Sequence, residues 1–204
     1  MKKSEFWSLI VSELIAENFS VLLYNNEHLD GWGGWLDASL ENKEFVVAMN
    51  HPLGFETALH EYCHFLQWKN NPKLWNKSET TYGILFDWID NPESNYTTEE
   101  LQESLHDILE IEHDCEKLAL DFASMHNLEN FDYNLYSQAA NAYLWHYHIN
   151  RIFRKKSPIP IYNTDITKYM SKNLNSDLSF YLDIKNLGDK EYNKYVEIYS
   201  QYSK

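Results

Sequence analysis

A chain of 204 residues, 44% hydrophobic and 16% aromatic, is long enough to bury its own core and too apolar to remain disordered. Acidic residues outnumber basic ones 31 to 17, and the formal net charge of -14 repels phosphate backbones, which argues against nucleic acid as a main partner. Cys63 and Cys115 are the only cysteines and form no CxxC, so a disulfide scaffold is not indicated.

The chain opens with Met1-Lys2-Lys3-Ser4-Glu5 and passes directly into an amphipathic segment carrying Glu13 and Glu17. That is not the apolar core of a signal peptide, and no stretch has the length to span a membrane, so the expected location is the cytoplasm. Ser4 is the expected N-cap of a first helix to about Asn18, with Phe6, Leu9, Ile10, Leu14 and Ile15 on its apolar face. A short strand from Val21 to Tyr24 and turns at Asn25, Asn26 and Asp30-Gly31 follow. Trp32 to Asp37 and Phe45 to Met49, joined by Glu41-Asn42-Lys43, read as a two-stranded antiparallel hairpin. Within it, Gly33-Gly34 marks either a bulge that lets two tryptophans pack or an edge to which an extended peptide adds.

From Phe55 to Trp68 an apolar run without proline or glycine predicts a helix, and at its centre stands His60-Glu61-Tyr62-Cys63-His64. Helical spacing puts His60 and His64 one turn apart on one face, where two imidazoles can hold one tetrahedral zinc. Glu61, beside the first of them, is within reach of a water on that metal. This is the HExxH arrangement of a metallohydrolase; the competing reading is a buried helix with two satisfied histidines.

Asn70-Asn71-Pro72 stops this helix, and a shorter one is expected from Glu79 to Asp90, ended by Asn91-Pro92. Thr97 with Glu100 forms a capping box that opens a long helix to about Asn127. Leu101, Leu105, Ile108, Cys115, Leu118, Ala119 and Phe122 share its packed face. A third long helix is expected from about Leu135 to Arg154, closed by Pro158 and Pro160, with Arg151, Arg154, Lys155 and Lys156 complementing its C-terminal dipole. Two further helical candidates run from Asp165 to Lys172 and from Asp189 to Gln201.

A hydrolytic zinc takes three protein ligands and leaves a position for water. Glu112, Cys115, Glu116 and Ala119 follow i, i+3, i+4, i+7 spacing on the packed face of the long helix, whereas Glu110 and His113 turn largely away from it. A buried acid needs a metal or hydrogen bonds to offset its desolvation, so Glu112 is preferred over Glu110 as third ligand. Glu116, one turn later, is placed to fix a ligand histidine's tautomer. Tyr143, His146 and Tyr147 are candidate donors to an oxyanion.

An HExxH helix followed by a helix with a glutamate ligand resembles the gluzincin side of the zinc peptidases. The run from Glu112 to Ala119 is similar to the ExxA(N/D)xFA segment of ImmA/IrrE-type metallopeptidases, with Cys115 in place of Ala, Glu116 in place of Asn or Asp, and Leu118 in place of Phe. His60 to Lys69, Asp114 to Lys117, Asn141 to Leu144 and Gly33 to Asp37 together resemble a group of uncharacterised, often phage-encoded metallopeptidase-like proteins. Length makes the chain most simply a single domain over residues 1–204, with a core of about 31–160, the stretch the resemblance covers, and a helical extension over 161–204. The resemblance implies an α+β, mostly helical zincin-like fold with a small antiparallel sheet before the active-site helix. The expected activity is peptide hydrolysis with Zn²⁺ on His60, His64 and Glu112, and Glu61 as general base.

Two rivals come from the residues themselves. Glu61 to His64 and Glu110 to His113 are both ExxH, and a di-iron carboxylate bundle would add a glutamate such as Glu13 or Glu17. A catalytically idle zinc-binding protein that captures a partner through its acidic, aromatic surface is the other.

Overall fold

The computed structural model describes residues 1–27, 29, 33–39, 42–157, 161 and 165–201, the side chains of 79 and 201 excepted. The expected turn at Asp30-Gly31, Trp32 and Glu41 of the hairpin, and the helix-closing Pro158 and Pro160 lie outside these residues. The chain forms two compact units that share one long helix. The first is Met1–Trp75 with Cys115–Phe131, and the second is Asn76–Asp114 with Asp132–Lys204.

The first unit begins with α1 (Lys3–Ala16), whose buried residues Phe6, Ile10 and Leu14 recur every four positions. Leu9 is half-buried and Ile15 is exposed, so the packed stripe is narrower than expected. Ser4 is inside the helix rather than its cap, because Lys2 N–H finds Glu5 Oε2 at 2.8 Å and starts the helix two residues earlier.

Three strands follow: β1 (Ser20–Tyr24), β2 (Gly34–Ala38) and β3 (Lys43–Ala48), in the order β1-β3-β2. The hairpin is present, with Gly34 opposite Val47 and Ala38 opposite Lys43 in antiparallel register. The sheet as a whole is mixed, however, not antiparallel, since β1 pairs parallel to β3 with Ser20 opposite Glu44. The chain reverses into β2 and again into β3, so β3 runs with β1; local alternation shows the second reversal and not which edge β1 takes. Phe45-Val46-Val47-Ala48 is wholly buried, as a strand with a neighbour on either side requires. At Gly34 a Cβ would lie 2.5 Å from Val46 O, which explains this glycine by close approach of the two backbones.

Helix α2 (Gly54–Asn70) packs on β2 and β3. Its start is fixed at Gly54, where a Cβ would lie 2.8 Å from Ala48 O. Phe55 and Tyr62 meet Phe6 of α1 edge to face at 4.9 and 6.3 Å, and Tyr62 OH donates to Glu13 at 2.9 Å. Asn71 caps α2 and Pro72 opens a single turn, α3 (Pro72–Trp75).

The second unit holds α4 (Ser78–Asp90), the N-terminal part of α5 (Thr98–Met125), α6 (Tyr133–Phe153), α7 (Ser179–Leu182) and α8 (Asp189–Gln201), with 3-10 turns over Asp165–Tyr169 and Ile184–Asn186. Leu85, Leu105, Ile108, Trp145, Tyr181 and Tyr195 lie in its core. The capping box of α5 is formed: Glu100 N–H donates to Thr97 Oγ1 at 3.1 Å, and Thr97 N–H donates to Glu100 Oε2 at 2.8 Å. Arg154 differs from expectation. It stands in the left-handed region at φ 48°, stacks 3.7 Å over Trp88, and donates to Trp88 O and Asn91 O at 2.8 and 2.9 Å. Its backbone N–H closes α6 in a left-handed cap, while its side chain closes the C-terminus of α4. The class is α+β, mostly helical with one small sheet. Among the described residues, no helix is long and apolar enough to cross a membrane.

Candidate metal centre

Helical spacing on α2 brings His60 and His64 together as expected. Their ring centroids are 4.6 Å apart at 88°, and the two Nε2 atoms face each other at 3.1 Å. His64 Nδ1 lies 2.8 Å from Gln67 Oε1, and His60 Nδ1 lies 3.2 Å from Glu116 Oε1. Both oxygens accept, so both rings carry their proton on Nδ1 and direct a lone pair outward from Nε2. Two lone pairs at this distance repel each other, so a positive charge belongs between them, either a proton shared by the two Nε2 atoms or a metal ion.

The surroundings supply negative charge and little water. His64 is 8% exposed and the His60 side chain 14%. Glu116 is buried, and its Oε2 has no hydrogen-bond partner among the described residues. A buried carboxylate set against a histidine alone is expensive unless positive charge is added nearby. Cys115 donates its thiol to His60 O at 3.2 Å, and ligand atoms of His60, His64 and Cys115 fall within 4.8 Å of one another. Glu61 follows His60 on α2 and is half-buried.

In the second unit Glu112 is buried at 2% exposure. Its Oε1 accepts from Tyr82 OH, from Tyr147 OH at 3.0 Å and from Tyr143 OH at 3.5 Å, and Tyr147 OH lies 2.8 Å from Tyr143 OH. Burial, and then the charge of Glu112, push the Tyr82 and Tyr147 phenols far above their ordinary range, so both remain donors. His146, a third candidate beside Tyr143 and Tyr147, turns Nδ1 to Tyr143 O, and burial pulls its pKa down to about 4.

Glu110 is half-exposed and paired with Lys77 at 2.6 Å, with Asp107 3.0 Å from the same ammonium. Lys77 thus occupies the midst of the Asp107–Glu110 pair, beside which His106 also stands. His113 is not turned away from the packed side: it is 4% exposed, and Nε2 lies 2.7 Å from Asn175 O. The middle of α5 is buried on more than one face, which a single-stripe reading does not allow for. Of the acids invoked for a di-iron site, Glu13 accepts from Tyr62 and Glu17 pairs with Lys69 at 2.8 Å.

Three contributors were not singled out as site residues from the sequence. Gln67 was detectable, standing three residues after His64 on the same helix. Cys115 shares the packed face of α5, where its position does not distinguish it from an apolar packing residue, and Tyr82 carries no local signal because it reaches Glu112 from α4. No protein-family model, curated protein or solved structure matches this chain.

Proposed function

We propose that the chain is a zinc-dependent metallopeptidase in which His60 and His64 hold the ion through Nε2, Glu112 is the third protein ligand, and Glu61 is the general base. The observation that carries this reading is the convergence of the two Nε2 atoms at 3.1 Å, with each Nδ1 held by an oxygen. The buried Glu116 carboxylate adds to it, since it favours positive charge on the His60 side of the pair. The place of Glu112 rests on its phase along α5, since its burial is already offset by tyrosine donors; the ion pair of Glu110 with Lys77 argues against the neighbouring acid.

When bound, zinc supplies Lewis acidity, which brings the pKa of water toward neutrality and polarises a peptide carbonyl. Glu61 takes the proton of the attacking water and passes it to the leaving amine. Glu116 and Gln67 hold the histidine rings in the Nδ1–H tautomer, so that neither ring turns and each Nε2 is aimed at the ion, the Glu116 carboxylate making the His60 nitrogen a stronger donor. The substrate class is peptide or protein met in the cytoplasm, and the net charge of -14 argues against nucleic acid.

Elemental analysis of protein purified without added metal tests this. The expected result is about one zinc per chain, lost in His60→Ala, weakened in Glu112→Ala and kept in Glu110→Ala. Glu61→Gln is expected to keep the zinc while lowering kcat on a peptide library by roughly 10²- to 10⁴-fold. Two irons, or no metal, overturns the reading.

A further inference from the structure

The second unit contains a cleft of about 440 Å³ where the start of α5, the end of α6 and the segment 182–184 meet. That is within the range of small-molecule sites. Leu101, Ile152 and Ile184 supply apolar walls, and Ile152 is 50% exposed, an aliphatic side chain left open to water beside the cleft it lines.

Arg151 is the one cation lining this cleft among the described residues. Its guanidinium donates through Nη1 to Gln102 Oε1 at 2.6 Å, which leaves further donors of its fork for another acceptor. Burial pulls its pKa below the ordinary value. His148, also lining the cleft, has Nε2 2.6 Å from Tyr181 O and is held toward its neutral form by burial. Asp183, the one carboxylate lining the cleft among the described residues, accepts from Lys185 N–H at 3.0 Å and caps the 3-10 turn. Thr98 brings the start of α5 to the same cleft, its dipole already complemented by Glu99 and Glu100 of the first turn, so that Arg151 carries the attraction for an anion there.

From this combination we infer that the cleft is a binding site for a small carboxylate with an apolar body, the carboxylate on Arg151 and the body against Leu101, Ile152 and Ile184. Two sources share that chemistry: a free organic acid, and the C-terminal residue of a peptide. The site lies outside the candidate metal centre and does not depend on the peptidase reading.

Titration calorimetry with N-acetyl-L-phenylalanine, its C-terminal amide and the peptide Ala-Ala-Ala-Phe tests it. The acid is expected to saturate the full-length protein at or below millimolar concentration, and the amide to bind at least tenfold more weakly. Arg151→Gln is expected to weaken the acid at least tenfold without changing the amide, and Ile184→Trp to block both. His60→Ala is expected to bind the acid as the parent does, which separates this site from a carboxylate held on zinc. Circular dichroism verifies that each variant is folded. Binding of the tetrapeptide as tightly as the acid identifies a peptide terminus, and its weaker binding a free acid. Equal binding of acid and amide, parent-like binding by Arg151→Gln, loss of binding in His60→Ala, or no saturation below ~10 mM overturns the inference.

Discussion

A carboxylate removed from water needs donors, and three tyrosine hydroxyls gather around a single oxygen of Glu112, two of them also bonded to each other. Tyr147 is the more deeply placed of the two donors from α6, at 2% exposure and 3.0 Å. Tyr147→Phe is expected to lower stability by about 1–3 kcal/mol, the cost of leaving a buried acceptor short of a donor. Tyr143→Phe, whose hydroxyl lies at 3.5 Å, is expected to cost less. Urea unfolding of the two variants beside the parent measures the difference; equal stability of Tyr147→Phe and the parent would show that the hydroxyl contributes nothing there. The burial of Glu112 was legible from its spacing to Glu116 and Ala119. Its donors were not, because Tyr82 comes from a different helix, thirty residues earlier in the chain.

Helices that carry their own start signals were the most legible elements. The capping box at Thr97 and Glu100 is in place, and α8 spans the Asp189–Gln201 segment expected for it. Thr97→Ala is expected to cost about 1 kcal/mol, read as a lower urea midpoint with an unchanged denaturant slope. Elements lacking such signals were less clear. The segment expected as a helix from Asp165 to Lys172 is a 3-10 turn over Asp165–Tyr169. The parallel pairing of β1 depends on the path between two strands, which alternation within either one does not record. Arg154 shows the same limit for side chains: it caps α6 with its backbone, and only stacking on Trp88 carries its guanidinium to the end of α4.

For the whole molecule, buried histidines tie stability to pH. Burial lowers the pKa of His146 to about 4 and lowers that of His148 as well. In the unfolded chain both titrate near the ordinary value of about 6.5, so below that pH the unfolded state binds more protons. Their contribution is therefore fully present above about pH 6.5 and is lost as pH falls, for His146 down to about 4, by up to about 3 kcal/mol. Urea unfolding in a chelator between pH 7 and 4 is expected to show this decline, with a shallower slope in His146→Asn. A slope unchanged by that substitution would remove His146 as the cause.

The sequence by itself determined what repeats within a few residues: the helix through His60 and His64, the capped start of α5, the hairpin, and the phase that puts Glu112 and Glu116 on a buried face. Backbone hydrogen bonding ties those features to fixed local spacings, so residue order suffices to read them. Tertiary structure alone decided which distant groups meet: Glu116 with His60, three tyrosines with Glu112, Cys115 with the His60 carbonyl, and Arg151 at an apolar cleft. Such contacts form only when widely separated segments close on one another, and the hydrophobic burial that closes them is not directional. It brings helices together without specifying, in any local pattern, which polar side chains will face each other.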